Sequence, residues 1–228
     1  VTVESQDTVA IGPRSVKVWP DDVRTGPFDE QVMMAVFPDH REIAGPLIER
    51  ILEVEAEERR RNPQASLGEG GQKVRDLDKL GVAAFELIDR RARRLFQLVL
   101  RRDAAVVDDC WANVFRDGEF TLPHAHKRTV ASVVYALDPG DEDASAREPM
   151  NGLLMFAAPR MKACCRHKPE YVSTPAAPPM EPGAMVIFPA IYTHLVTPYR
   201  GTRPRISLAW NIDDHAVPGE VQHDGVLT

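Results

Sequence analysis

Hydrophobic and polar positions follow two rhythms along this chain, and the change comes near residue 104. Before it, two short apolar stretches, at 15–19 and 31–37, read as strands, each closed by a proline, Pro20 and Pro38. Asp39 is placed to cap a helix. Ile43, Leu47, Ile48, Ile51 and Leu52 then recur at helical spacing, with Glu and Arg on the other face to about Arg61. Asn62 and Pro63 end that pattern, and a polar, Gly-rich loop runs to about Gly71. A second helix is expected from about Val74 or Leu80 to Leu100, with Phe85, Ile88, Leu95 and Val99 facing one way. Its arginines, Arg90, Arg91, Arg93, Arg94, Arg101 and Arg102, are expected to form a solvated face.

From residue 104 the period is two. Strands are expected at 106–116, 129–137, 153–157, 170–174, 184–188, 193–197 and 205–212. Asp117-Gly118, Pro139-Gly140, Pro182-Gly183 and Arg200-Gly201 supply turn signals between them. Many short strands with regular turns mean an antiparallel sandwich or barrel. The expected fold is mainly β with a helical arm, an α+β arrangement in three parts. Residues 1–103 form N-terminal strands and a two-helix arm packing on the core, 104–212 form the β core, and 213–228 form a C-terminal tail. No Gly-rich phosphate loop follows a strand, so a nucleotide-binding Rossmann or P-loop fold is unsupported.

Composition narrows the function classes. A chain of 228 residues with 43% apolar residues can bury a core without staples. A net charge of -6 gives no whole-chain field favouring nucleic acid, and no nucleic-acid partner is expected. No apolar run approaches the ~18 residues of a membrane span, so no membrane association is expected, and no secretory leader is read at the start. Cys110, Cys164 and Cys165 make no disulfide framework, and the expected setting is a reducing cytoplasm. The helical arm and the edge strands near 15–37 could form the seam of a homodimer.

Candidate chemistry gathers on a few histidines. His124 and His126 stand as Pro123-His124-Ala125-His126, between a turn and a strand, and His194 lies in a later strand pattern. In an extended segment residues i and i+2 share a face, so His124 and His126 present two imidazoles side by side. With His194 on a neighbouring strand, three nitrogens would converge and leave the other positions of an octahedral ion open, as a catalytic metal requires. The bland alternative is that these are surface or core histidines. His40 reads as a helix-capping or surface residue, and His167, His215 and His223 as polar-loop or tail residues. Cys164-Cys165 beside Arg166 and His167 could be reactive or metal-binding, although adjacent cysteines chelate poorly. Arg205 and Ser207 share a strand face one turn after His194, a guanidinium and a hydroxyl suited to clamp a carboxylate. Alternatively, Arg205 pairs with a structural Asp or Glu.

Together these residues resemble the iron(II)- and 2-oxoglutarate-dependent oxygenases, most nearly a bacterial and phage branch of that superfamily with a His-x-His motif. The resemblance runs over residues 104–212. It is carried by the stretches 110–118, 124–126, 131–137, 151–160, 183–189, 194–199 and 205–211, and more faintly by 16–20. It implies a double-stranded β-helix, the jelly-roll or cupin-like fold. It also implies Fe(II) as metal, 2-oxoglutarate as cosubstrate and dioxygen as oxidant. His124, His126 and His194 would hold the metal. Arg205 would pair with the far carboxylate of 2-oxoglutarate, Ser207 would be its hydroxyl partner, and Asn113 would reach cosubstrate or substrate. The implied reaction is hydroxylation of a small-molecule substrate with release of succinate and carbon dioxide.

Two departures from the superfamily pattern matter. His126 stands where a carboxylate is usual, which removes a negative charge beside the metal and fills the room a halogenating relative leaves for chloride. Ala136 stands where relatives often have Tyr near the cosubstrate, and the adjacent Tyr135 alternates to the other face. Loops at 138–151 and 158–182 are expected to form a substrate lid, with Arg160 and Arg166 as contacts for an anionic substrate. Three rivals remain: a three-His cupin-type iron dioxygenase that does not use 2-oxoglutarate, a non-catalytic jelly-roll binding module, and a helix-mediated interaction protein whose sandwich is only a scaffold.

Overall fold

Alternation along one strand sorts the molecule into layers. In Arg205–Asp213 all nine residues are buried, so the strand is covered on both faces. Ile206, Leu208, Trp210 and Ile212 point one way into an apolar cluster shared with the helices. Arg205, Ser207, Ala209 and Asn211 point the other way and line a cleft.

The computed structural model describes residues 7–29, 31–62, 71–141, 150–157 and 177–216. In chain order the elements are β1 (Thr8–Ile11), β2 (Arg14–Lys17), β3 (Arg24–Asp29), β4 (Val32–Val36), α1 (His40–Ile43), α2 (Gly45–Arg61), β5 (Gln72–Val74), α3 (Ala83–Leu100), β6 (Val106–Phe115), β7 (Thr121–His124), β8 (Ala131–Asp138), β9 (Leu154–Phe156), β10 (Ala184–Pro189), β11 (His194–Val196) and β12 (Arg205–Asp213). The major sheet has the order β3-β4-β10-β8-β12-β6-β5, and a minor sheet has the order β7-β11-β9; β1 and β2 form a separate hairpin. The described ladders are antiparallel. The expected strand at 170–174 lies outside the described residues.

The helices cover one face of the major sheet. Leu47 and Ile51 of α2 and Phe85, Ile88, Leu95 and Phe96 of α3 pack with Val114, Val133, Leu137, Met185 and Leu208. The Phe85 ring stacks on Trp210 at 6.4 Å, and the Trp210 indole N–H donates to Asp89 at 2.9 Å. Tyr135 belongs to this side, on the face away from the cleft. The minor sheet closes the opposite face through Val32, Leu154, Phe156, Val186 and Phe188.

Four local readings differ from the structure. The first helical pattern is split, because Pro46 has no N–H to donate back to residue 42 and its ring crowds that carbonyl; α1 ends at Ile43 and α2 begins at Gly45. The second is not helical from 74 or 80. β5 instead pairs at the sheet edge, with Lys73 opposite Asn113, a 3-10 turn spans Leu77–Leu80, and Gly81 at φ +70° stops it before α3. β5 can lie there because Gly71 brings bare backbone against β6: an added Cβ would stand 2.8 Å from the Val114 carbonyl oxygen. Arg91 is not part of a solvated face. It is fully buried, grips Asp39 at 2.5 and 2.9 Å and donates to the carbonyls of Lys17 and Val18. His40 is not a surface residue either. It is buried, with Nδ1 2.7 Å from the Tyr135 hydroxyl.

Both buried polar groups generate measurable outcomes. Replacing Arg91 with Met leaves the Asp39 carboxylate and two carbonyls without their cation, and should cost about 3–5 kcal/mol of stability in urea unfolding. Burial, opposed by the Leu137 carbonyl and by Asp39 and Asp138 and aided by Arg91, holds the His40 pKa below its ordinary 6.5. The unfolded chain therefore takes up this proton first. Stability should fall as pH drops below 6.5 toward the lower folded pKa. A His40→Gln variant should lose less stability than the parent between about pH 7.5 and about pH 5.5; an equal loss assigns the acid sensitivity elsewhere.

Candidate active site

The minor sheet delivers the histidines. His194 on β11 is the direct ladder partner of His124 on β7 and, on its other side, of Phe156 on β9. His126 follows two residues after His124, past the end of β7, with its backbone N–H held by the Ala190 carbonyl at 2.8 Å. Ring centroids lie 4.3 Å apart for His124 and His194, and 5.2 Å apart for each pair that includes His126. One ligand atom from each ring lies within 4.8 Å of the others. Three imidazoles this close, two of them buried, form a donor set able to take one divalent ion.

Two of the rings are oriented by the same local device. His124 Nδ1 sits 2.9 Å from the Leu122 carbonyl, and His194 Nδ1 sits 2.9 Å from the Tyr192 carbonyl. In each case a carbonyl two residues earlier accepts the Nδ1 proton, which leaves Nε2 as a donor atom for a metal. Phe188 meets His194 edge-on at 4.9 Å, and Trp111 lies 5.9 Å from His126.

A cleft runs from the histidines to the inward face of β12. Arg205 is placed at its far end, 7% exposed. Its guanidinium lies 5.7 Å from the Phe115 ring. Gly152, at φ +56°, leaves room for the side chain, since a Cβ there would stand 3.1 Å from Arg205 Cδ. Burial pulls the Arg205 pKa from 12.5 down to about 10, so the group stays cationic at neutral pH. Its Nη1 is buried with no hydrogen-bond partner, and no carboxylate among the described residues pairs with it. The alternative of a structural Asp or Glu partner is therefore set aside for the described residues. A buried cation without a counter-ion costs several kcal/mol. An anion entering the cleft would offset that cost.

Ser207 shares the inward face of β12, with Asn113 of β6 opposite it on one side and Ala136 of β8 on the other. Asn113 lines the cleft and accepts the Trp111 indole N–H at 3.0 Å. The side chain at 136 is only a methyl, so the space beside Ser207 stays open. Two cleft residues escaped the sequence reading. Lys73 of β5 reaches the cleft with its ammonium 4.9 Å from the Trp111 ring centroid. Asn211 of β12 lies beside His126. The signal for Asn211 was its period-two relation to Arg205 and Ser207. Nothing local marked Lys73, because β5 is three residues long. No Asp or Glu is among the described residues lining the cleft. Arg160, Arg166, the Cys164-Cys165 pair, His167, His223 and most of the expected lid lie outside the described residues, and His215 is exposed.

Residues 109–211 match the family model described as "Putative 2OG-Fe(II) oxygenase". No curated protein matches the chain in sequence. Among solved structures, AviO1 from Streptomyces viridochromogenes Tue57 is similar at 16% identity and a TM-score of 0.56, over 83% of this chain and 92% of that one. A prolyl hydroxylase from Trichoplax adhaerens, in complex with a hypoxia inducible factor peptide fragment, gives 13% identity and 0.53, over 78% and 83%. EctD from S. alaskensis with 2-oxoglutarate and 5-hydroxyectoine gives 14% and 0.52, over 86% and 78%. At such identities the likeness is one of fold, and that fold is the double-stranded β-helix. Residues 109–211 thus resemble the 2OG-Fe(II) oxygenases, an enzyme family that works with Fe(II) and 2-oxoglutarate.

Proposed function

We propose that the protein hydroxylates an anionic small molecule, with Fe(II) held by His124, His126 and His194 and 2-oxoglutarate held between that ion and Arg205. The observation that carries this reading is the buried guanidinium of Arg205, whose Nη1 has no partner, at the far end of the cleft that the three imidazoles line. A dicarboxylate is the natural occupant of a cleft with a divalent-ion site at one end and an unpaired cation at the other. An iron enzyme binding its substrate without a cosubstrate has no use for that cation, which favours 2-oxoglutarate over the three-His alternative. Bound together, Fe(II) and 2-oxoglutarate supply the chemistry of this class, in which dioxygen is consumed, the cosubstrate becomes succinate and carbon dioxide, and a substrate C–H bond is oxidised.

The chain's own work is binding, orientation and exclusion of water. Arg205 would take the far carboxylate of the cosubstrate through its planar fork, and Ser207, two residues on, would add a hydroxyl donor. Val134, Leu154, Phe188 and Val196 wall the cleft with apolar surface. Low local polarity strengthens each charge interaction made inside. Asn113 has its carbonyl oxygen committed to Trp111, which leaves the amide nitrogen as a donor.

The anionic substrate class follows from charge. Three neutral imidazoles bring no negative charge to the ion, so a divalent ion, Arg205 and Lys73 would together outweigh the two negative charges of 2-oxoglutarate. The surplus favours a substrate bearing a carboxylate or phosphate, with Lys73, against Trp111, as the second cation lining the cleft.

Anaerobic titration of the Fe(II)-loaded protein with 2-oxoglutarate should produce a weak visible charge-transfer band. His124→Ala should abolish it through loss of the metal. Arg205→Gln should keep the metal and weaken 2-oxoglutarate by roughly 30-fold or more, the range for truncating one partner of a buried charge pair. A parent protein that binds Fe(II) but shows no band overturns the use of 2-oxoglutarate. In a metabolite-pool screen for succinate release, the compound consumed should be an acid; a neutral compound overturns the anionic class.

A further inference from the structure

His126 is held differently from its two companions. His124 and His194 each give Nδ1 to a carbonyl two residues earlier. His126 lies beyond the end of β7, and its Nδ1 meets a side chain of the major sheet: Asn211 Nδ2 at 3.4 Å, inside the buried core. Asn211 is in turn held by Ser132, whose hydroxyl donates to Asn211 Oδ1 at 3.0 Å. The two are direct ladder partners, Asn211 on β12 and Ser132 on β8, and both are buried.

The orientation of the Asn211 amide decides which nitrogen of His126 carries the proton. When the amide N–H₂ faces the ring, Nδ1 must accept, so a neutral ring carries its proton on Nε2 and offers a metal nothing there. When the amide is turned by half a revolution, its oxygen faces the ring, Nδ1–H donates, and the lone pair of Nε2 is free. Ser132 permits both states, because a hydroxyl donates to the amide oxygen or accepts from the amide nitrogen with equal ease. For His124 and His194 the corresponding contact is with a fixed carbonyl, which can only accept.

The geometry points to Asn211 as the positioning residue for His126, with Ser132 as its pivot: metal binding at the third imidazole requires the amide to present its oxygen. This inference rests on the three-histidine metal site proposed above. It adds that the contact between His126 and the ion is governed from the major sheet by a neutral, reversible partner. An outer partner of this kind, an acceptor for the ring proton, typically changes metal affinity by about 10–100-fold when removed.

The test uses Co(II) alone, added to the metal-free full chain, and reads affinity and the visible d–d spectrum. Asn211→Ala should weaken Co(II) binding by about 10–100-fold and alter the spectrum toward that of His126→Ala. Asn211→Asp has the same shape and can only accept, so it should restore parent affinity or exceed it. Equal affinity in the parent and Asn211→Ala overturns the inference while leaving the metal site standing. A parent that binds no Co(II) overturns the metal site as well. If Asn211→Ala does not fold, Asn211→Asp decides alone. A purely structural amide would not tolerate a buried carboxylate in its place, so weaker Co(II) binding in this variant overturns the inference and tighter binding supports it.

Discussion

The strand β12 answers to two solvents at once, and the remaining structure follows from that. Its outward side chains require hydrocarbon, which α2 and α3 provide through Phe85, Leu87, Ile88 and Phe96. Its inward side chains, Arg205, Ser207 and Asn211, require polar partners that the protein supplies only in part. A slip of one residue in the pairing with β6 or β8 would drive the guanidinium into the helix-facing core and Trp210 into the cleft. The burial of Trp210 against Phe85 therefore fixes the position of the cleft as firmly as anything inside the cleft does.

The cleft carries a sign opposite to that of the chain. With a net charge of -6 overall, the described lining holds Lys73 and Arg205 and no carboxylate. Elsewhere, the other fully buried cation is matched, Arg91 by Asp39, and the buried carboxylates Glu55 and Glu119 are matched by Arg59 and Arg116. The same fold that pairs those ions leaves Arg205 alone. Such a group destabilises the empty protein, and on the proposed reading a bound dicarboxylate would offset the desolvation already suffered.

The core strands and the candidate residues were legible because their signals are local. Strict alternation in 131–138 and 205–213 reveals a sheet face, and a His-x-His pair or an Arg-x-Ser pair needs only that alternation to share a side. What escaped depended on contacts distant in sequence. Lys73 matters because β5 docks on β6, 40 residues away in register with Asn113. Arg91 looked like one arginine among several until α3 packed against the residues near Asp39. His40 looked like a cap because the partner that buries it, Tyr135, lies 95 residues away. For Arg91 and His40 helical periodicity was right about the backbone and silent about the partner, whereas β5 is too short to show a period.

The third histidine is where the local and the distant meet. A carboxylate at position 126 would carry its own charge to an ion and need no tautomer set for it. An imidazole there brings no charge and must be told which nitrogen to protonate. On the inference drawn above, that instruction would come from β12 and β8, through Asn211 and Ser132. If His126 ligates the ion as proposed, the side chain that orients it belongs to the major sheet. It also raises the positive field in the cleft, the same field that Arg205 and Lys73 build. Ligand choice, substrate charge and the amide beside His126 are therefore three consequences of a single residue identity.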